Sequence, residues 1–557
     1  MGVERKIKGF ADDVEYYLHG GLERAIAQAR LERYSDIINH VIIEENRKLS
    51  GTTMMIKSER KSDELSTNRA THQAKVAALA AIAAEKLGLN ERIVDIAAGN
   101  HDLGHTPYGH SGEWWLSEIL KDIGIGYRCH NAIGAKRLVY STDLYDRIIE
   151  EIKAFNPQIS DSKLEKIRRS LWLVIDPILC HNGESSKRKL MVEPNLDKTE
   201  ADFERELRQC YITEGFDRTL VPGTAEGSLL RIVDVISYVG QDMIDGLREK
   251  IIKDLDSEYR QILAGFGITE EEINLAIEKE HYDGLVRSVE RVALQDLIEN
   301  SSKRRIQLSE TMLDLVTRLK DKNNREIVDK VVRPTENEAF PQAIRKLLGT
   351  FSNIFQQEGL ESDIESLGTN IERIRELREK YEGTPYEKFI IYLCNLNPKD
   401  YQFTVEVTSA ATRQATMDEL NEALEGKTEF DNDYPLRSKR IQQMASDIET
   451  RYPNGMAEEE KENYVTEWIS ASDEVGKNGS LSRIHKLGIA LGANYIETLN
   501  DREFVDLLEA TEMLTPEQAA DIRIKYNKLT PKELAMDTRQ AGWKAIQDRQ
   551  QQEDLVQ

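Results

Sequence analysis

The sequence predicts an all-α protein with an additional helical C-terminal region and one small β element. Apolar residues recur at three- and four-residue spacing along most of the chain, and Gly and Pro are sparse, at 33 and 13 of 557 residues. A single β-like stretch, Tyr401-Gln402-Phe403-Thr404-Val405-Glu406-Val407, interrupts the pattern after the break at Asn395-Leu396-Asn397-Pro398. The spacing predicts helices over 12–30, 32–48, 67–88, 91–103, 111–122, 130–140, 143–154, 161–180, 226–250, 270–278, 283–300, 305–320 and 337–357.

A chain of this length exceeds one ordinary core, and about two to four structural units are expected. The expected division is an N-terminal helical segment over 1–60, a main core over 61–300, a helical extension over 301–398, and a mostly helical region over 399–557. Within the main core, the polar stretch 182–227 contains Pro194, Pro222 and Gly223. It reads as an insertion with a short helix near 199–210, placed where a lid could sit.

The 99 acidic side chains outnumber the 75 basic ones, giving a net charge of −24. That balance opposes nonspecific attraction to nucleic acid or to an anionic membrane, so any cationic receptor for phosphate must be local. Cys129, Cys180, Cys210 and Cys394 are far apart and form no C-x-x-C, which fits a reducing compartment. The start Met1-Gly2-Val3-Glu4-Arg5-Lys6 has no apolar signal core, and Val76 to Ala84 is about half of what spans a bilayer. A soluble cytoplasmic protein, without a membrane partner, is expected.

Six of the ten histidines fall between residues 72 and 181. The densest part, Asn100-His101-Asp102-Leu103-Gly104-His105-Thr106-Pro107-Tyr108-Gly109-His110-Ser111-Gly112-Glu113, follows an apolar helix and breaks at Gly104 and Pro107. Imidazole nitrogen and carboxylate oxygen suit a divalent cation, and adjacent ligands converge where a helix ends and its backbone turns. A lone His-Asp pair is ordinarily a helix end with a solvated Asp. Two further elements change that reading.

Upstream, His72 begins a small-residue helix able to pack beside the helix that ends at His101. Downstream, at roughly 100° per residue, Arg231, Asp234, Tyr238, Gln241, Asp242 and Asp245 share one helix face, opposite Leu229, Ile232, Val233, Ile236, Val239 and Met243. Solvated stripes favour Lys and Glu. This one carries Asp234, Tyr238 and Asp242, short or rigid groups suited to fixed recognition.

These residues resemble the HD superfamily, in which a first His, a His-Asp pair and a distant Asp hold a divalent cation; here they would be His72, His101, Asp102 and Asp234. The string from His101 to Glu113 is similar to the H-D-[IL]-G-H-x-P-[FY]-x-H-x-x-[ED] signature of the deoxynucleoside triphosphate triphosphohydrolases, which include bacterial dGTP triphosphohydrolases. Arg69 stands where that family has R-x-x-H, and Asp234 onward resembles its D-x-I-x-Y-x-x-x-D segment, with Asp245-Gly246-Leu247-Arg248 following. The resemblance spans roughly residues 65–250. Nothing familiar follows about residue 300.

The resemblance implies an HD-domain helical core and metal-dependent hydrolysis of a dNTP to deoxynucleoside and tripolyphosphate. Mn²⁺ or Mg²⁺ is the expected cation, with Fe²⁺, Zn²⁺ or Co²⁺ as alternatives. His110 and Glu113, three residues apart on one helix, can face one another as the acid/base couple. His105 and His130 would contact phosphate or the leaving oxygen, Arg69 would clamp phosphate, Tyr238 would pack on the sugar, and Asp242 would accept from its 3′-hydroxyl. His181 resembles a further substrate-contacting histidine, and Lys187-Arg188-Lys189 could meet phosphate from the insertion. The resemblance also implies a homo-oligomer and a nucleotide effector acting allosterically. Other HD chemistry, on a cyclic nucleotide, a nucleoside monophosphate or an alarmone, is the alternative within enzymes; a noncatalytic nucleotide sensor is the alternative outside them.

Overall fold

The computed structural model describes residues 16, 21–182, 191–499 and 501–519 except 51–68, 249, 329–338, 362–369, 426–434, 453–454 and 474–482. In chain order the helices used below are α1 (Leu22–Glu32), α2 (Ser35–Ser50), α3 (Arg69–Leu87), α4 (Glu91–Asn100), α5 (His110–Ile123), α6 (His130–Lys136), α7 (Leu144–Phe155), α8 (Asp161–Arg168) and α9 (Trp172–Cys180). They continue with α10 (Glu200–Ile212), α11 (Ala225–Arg248), α12 (Ser257–Gly265), α13 (Glu270–Glu278), α14 (Asp283–Asn300), α15 (Glu310–Asn323) and α16 (Ala339–Gln357). The last are α17 (Ile371–Tyr381), α18 (Glu387–Cys394), α19 (Pro398–Leu424), α20 (Pro435–Arg451), α21 (Glu458–Asp473), α22 (Arg483–Glu497) and α23 (Asp501–Ala510). The protein is all-α, and the one small sheet among the described residues pairs β1 (Met191–Val192) antiparallel with β2 (Ile306–Gln307). None of the described helices is long and apolar enough to cross a membrane.

The main core is organised around α3, which packs along α4 and α11. Its alanines at 77, 78, 80, 81, 83 and 84 are buried on every side, so neighbouring backbones approach closely. A buried knot ties the N-terminal ends of α4 and α11 to α1. The Glu226 carboxylate accepts from Asn90 N–H at 2.9 Å and from Gln28 Nε2 at 2.6 Å, while the Asn90 side chain caps α4 by accepting from Ile93 N–H at 3.1 Å.

Helix α5 has one polar and one apolar working face. Its Glu113 faces the histidine-rich region, while Trp115, Leu116, Ile119 and Leu120 join Leu347, Phe351 and Phe355 of α16 and Leu487, Leu491 and Tyr495 of α22 in a second cluster. A third, smaller cluster holds Met417 and Leu420 of α19 against α20 and α21 through Met444, Ile448 and Val465.

The predicted insertion does carry a helix, α10, started by a capping box between Thr199 and Asp202. It is tied down by Lys198, fully buried, whose ammonium lies 2.6 Å from Asp176 Oδ1 and also pairs with Glu206. Lys187, Arg188 and Lys189 lie outside the described residues.

The strand expected over Tyr401–Val407 is instead part of α19. Asn397 caps that helix by accepting from Lys399 N–H, and Pro398 takes the first helical position, where its missing N–H costs nothing. The buried set Asp400, Tyr401, Phe403, Thr404, Val407, Thr408 and Ala411 has helical spacing, and Thr404 Oγ1 donates back to Asp400 O at 2.8 Å. The apparent alternation came from the polar Asp400, Thr404 and Thr408 lying on the buried face of the helix. Phe403 and Val407 join the main core and Tyr401 the second.

Candidate active site

Four side chains from three helices converge between α3 and α11. His72 stands in the first turn of α3, His101 and Asp102 directly follow α4, and Asp234 stands midway along α11. His101 is fully buried; its Nδ1–H donates to Ala98 O at 2.7 Å, which turns Nε2 inward. That Nε2 has no hydrogen-bond partner among the described residues, although Asp234 Oδ1 lies at 3.5 Å and Asp102 Oδ1 at 3.7 Å. His72 is oriented in the same sense, with Nδ1 3.4 Å from Ser237 Oγ and Nε2 2.9 Å from Asp234 Oδ1 and 4.0 Å from Asp102 Oδ2.

His72, His101 and Asp234 form a group able to hold a metal ion, the Asp102 carboxylate lies 3.7 Å from His101 Nε2 and 4.0 Å from His72 Nε2 and groups with His130 and His181, and each metal-facing ring has its other nitrogen tied as metal-bound histidines require. The residues therefore fit the metal that the resemblance implies. Burial alone would lower the His101 pKa, but the Asp102 and Asp234 carboxylates raise it to about 9. Burial would likewise raise Asp234, yet the His101 and His72 imidazoles beside its carboxylate hold it far below the carboxylate range. A region that so favours positive charge is electrostatically prepared for a cation.

Asp102 also belongs to a second constellation. The His105 and His130 rings stack in parallel, centroids 3.8 Å apart, and together they span the gap between Asp102 and Glu113. His105 Nε2 lies 3.1 Å from Asp102 Oδ1, and its Nδ1 lies 2.6 Å from Glu113 Oε1, though without hydrogen-bond alignment. His130 Nδ1 meets Glu113 Oε2 at 3.1 Å, its backbone N–H donates to the same oxygen at 3.2 Å, and its Nε2 lies 2.9 Å from His181 Nε2.

His181 caps the C-terminal end of α9 and donates Nδ1–H to Ile178 O at 2.6 Å, so its Nε2 is an acceptor. Burial, then the neighbouring His130 and His101, push its pKa down to about 3, so it stays neutral. The pattern around His130 is satisfied when that ring carries both protons, one donated to His181 and one to Glu113. Burial would raise the Glu113 pKa, but His130 and His110 draw it well below its ordinary value.

His110 and Glu113 do face one another, with His110 Nδ1 3.6 Å from Glu113 Oε1. The His110 side chain is 66% exposed, whereas those of His105 and His130 are buried, so His110 is the cluster's open edge. Pairing His110 alone with Glu113 missed that Glu113 serves three imidazoles. Nothing local could have shown it, because His130 reaches Glu113 from a separate helix.

Tyr238 and Asp242 stand one and two turns beyond Asp234 on α11, both partly buried. Lys320 of α15 places its ammonium 5.7 Å from the centre of the Tyr238 ring, a cation that the motif reading did not find. Arg231, on the same predicted stripe, is buried away from solvent. Its guanidinium donates to Cys180 O and Leu220 O, closing the C-terminal end of α9 beside His181. Arg69 begins α3, one turn before His72, and its side chain lies outside the described residues.

The family model for the HD domain matches residues 69–186, a span that includes His72, His101, Asp102 and the histidine cluster but not Asp234. A deoxyguanosinetriphosphate triphosphohydrolase-like protein of Geobacter metallireducens is 24% identical over 344 residues, 61% of this chain and 72% of the relative. Proteins of the same name from Geobacter sulfurreducens and Rickettsia bellii are 27% and 29% identical over 184 and 185 residues, each 33% of this chain. In these two the chain spans 37% and 39% of the relative's length. The chain is thus similar to the HD-superfamily triphosphohydrolase-like proteins, as its motifs indicate, and the similarity supports an HD phosphohydrolase.

Proposed function

We propose that the protein hydrolyses a deoxynucleoside triphosphate at its α-phosphorus, releasing the deoxynucleoside and intact tripolyphosphate. The observation that carries this reading is the sharing of Asp102 between the divalent-cation donor set and a buried imidazole cluster ending at Glu113 and the exposed His110. A sensor that only binds nucleotide has no need of that cluster. The choice of dNTP follows the signature string and the names of the relatives.

A divalent cation held by His72, His101, Asp102 and Asp234 would supply Lewis acidity toward a phosphoryl oxygen. The chain's own residues do the rest. His130, held between Glu113 and His181, and His105 stacked on it form the wall of the site that faces the phosphates. Glu113 orients His110, whose exposed ring gives a proton to the 5′ oxygen as the α-phosphorus–oxygen bond breaks and water oxygen joins phosphorus. Tyr238 packs against the sugar, Asp242 accepts from the 3′-hydroxyl, and Arg69 and His181 complete the phosphate surroundings.

The test is hydrolysis of each dNTP and NTP, singly and in mixtures, with Mn²⁺ in ¹⁸O-labelled water, with products identified by mass. Label in tripolyphosphate and none in the nucleoside is expected, and His110→Ala should lower turnover about 10²–10⁴-fold. Orthophosphate with a nucleoside diphosphate, or pyrophosphate with a monophosphate, would sink the reaction. Full turnover by His110→Ala would sink the residue assignment.

A further inference from the structure

The turn that joins α4 to α5, residues 101–109, with the first helical turn carrying His110 and Glu113, holds most of the cluster and is itself strained. Tyr108 has φ of +65°, a left-handed conformation uncommon for a side chain of its size, and Gly109 follows at +55°. Such a backbone persists only where its surroundings over-determine it. Here the surroundings come from the far end of the chain, beyond any residue that the motifs reach.

Arg137, buried at the head of a π-helical turn (Arg137–Ser141) that continues α6, donates Nη1–H to Leu103 O at 3.0 Å and Nη2–H to Glu497 O. Glu497 is the last residue of α22, whose C-terminal carbonyls attract a guanidinium. Its carboxylate accepts from Arg128 Nε at 2.6 Å, and Asn494 Oδ1 accepts from Arg128 Nη2 at 3.3 Å. The end of α22 therefore grips α6, the helix that begins with His130, from both sides. On the other flank, the Tyr108 ring packs against Trp115 at 6.0 Å and against Phe504 of α23 at 6.5 Å between centroids. Phe504 is buried.

We propose that Arg137, Glu497 and Phe504 are positioning residues: helices α22 and α23 clamp the turn 101–113 and α6 from behind, keeping His105, His110, Glu113 and His130 in register. The role rests on the proposed triphosphohydrolase reading for its kinetic consequence, but the clamp itself is a property of the fold. Neither Arg137 nor Phe504 is placed where it would touch substrate, so their removal should act through the turn alone.

The test compares full-length protein with Arg137→Lys, which keeps the charge but lacks the fork that spans two carbonyls, and with Phe504→Ala and Phe504→Leu. Deuterium uptake is read for residues 101–113 and 128–137 against 69–87 and 225–248. Uptake over 101–113 should rise at least about threefold in Arg137→Lys and Phe504→Ala, remain unchanged over 69–87 and 225–248, and return toward wild type in Phe504→Leu. With Mn²⁺ and dNTP, kcat should fall about 10–10²-fold while KM stays within about twofold, as for a lost near-attack geometry. Unchanged uptake over 101–113, or a uniform rise that includes 69–87 and 225–248, would overturn the clamp. Absence of triphosphate hydrolysis in the wild type would remove the function reading and leave the exchange result to decide the clamp.

Discussion

At the scale of single residues, His101 and His181 are aimed by one device: each follows a helix, and each donates Nδ1–H to the carbonyl three residues earlier. The ring is locked and Nε2 is left as the working atom. Asp102 stands where these rings and their neighbours meet, with His105 Nε2 at 3.1 Å, His101 at 3.7 Å, His130 at 3.9 Å and His72 at 4.0 Å. Asp102→Ala removes a carboxylate that both constellations share. The helical circular dichroism should survive, while bound divalent metal and activity disappear together; stoichiometric metal in the purified variant would refute the ligand assignment. The identities of these residues were legible from a single string because the turn is local. The partners of Glu113 were not, since His130 reaches it from a helix seventeen residues away and His105 reaches it across the turn.

A second residue-scale prediction concerns Lys198, which the sequence offered only as one Lys in a polar insertion. Its ammonium is buried with Asp176 and Glu206, lies 3.4 Å from Cys180 Sγ, and donates to Val221 O at 3.2 Å. Burial would lower its pKa, but Asp176 and the neighbouring groups raise it, so the ammonium keeps its charge. Lys198→Met leaves the buried Asp176 and the partly buried Glu206 without their cation and should cost about 3–5 kcal/mol. Urea unfolding measures this; a loss within error of zero would show that the insertion is not held there. A charge of this kind is invisible in composition because Lys is ordinarily solvated.

At the scale of elements, the packing of α6 against the His-Asp turn depends on one missing methyl. A Cβ on Gly104 would lie 1.9 Å from His130 O and 2.2 Å from Gly134 N, both backbone atoms unable to yield. Gly104→Ala must push α6 away from the turn and should cost at least about 1–3 kcal/mol. His130 would move with α6, so turnover should fall even in the folded fraction; native stability with native turnover would contradict this packing. The sequence marked Gly104 as the end of a helix; the helix ends earlier, at Asn100, and Gly104 is instead the contact with α6. Helix periods were legible along most of the chain, whereas 401–407 was misread as a strand. Burial in this part of α19 follows a helical period, with Gln402, Glu406 and Ser409 exposed, but the polar Asp400, Thr404 and Thr408 lie on its buried face, so polarity alternated over 401–407 while burial did not.

At the scale of the whole molecule, the expected boundary near residue 398 sets up a decisive cut. Helix α19 begins there, and it sends Phe403 and Val407 into the main core and Tyr401 into the second. Its Asp400 lies 2.7 Å from the buried ammonium of Lys136, at the end of α6, and accepts from Ser141 Oγ at 2.6 Å. Farther on, Glu497 pairs with buried Arg128, and Leu487, Leu491 and Tyr495 cover Trp115, Leu116, Ile119 and Leu120 of α5. A chain ended after residue 397 would strip from Lys136 and Arg128 the carboxylates and helices against which they are buried. It would also open the apolar side of the helix that carries His110 and Glu113. The fragment 1–397 should therefore fail to give a cooperative urea transition and should expose apolar surface to a fluorescent dye, although its motif residues are all present. A fragment that unfolds cooperatively and holds one divalent ion would show that the C-terminal helices are an accessory, and that the site needs nothing beyond the HD core.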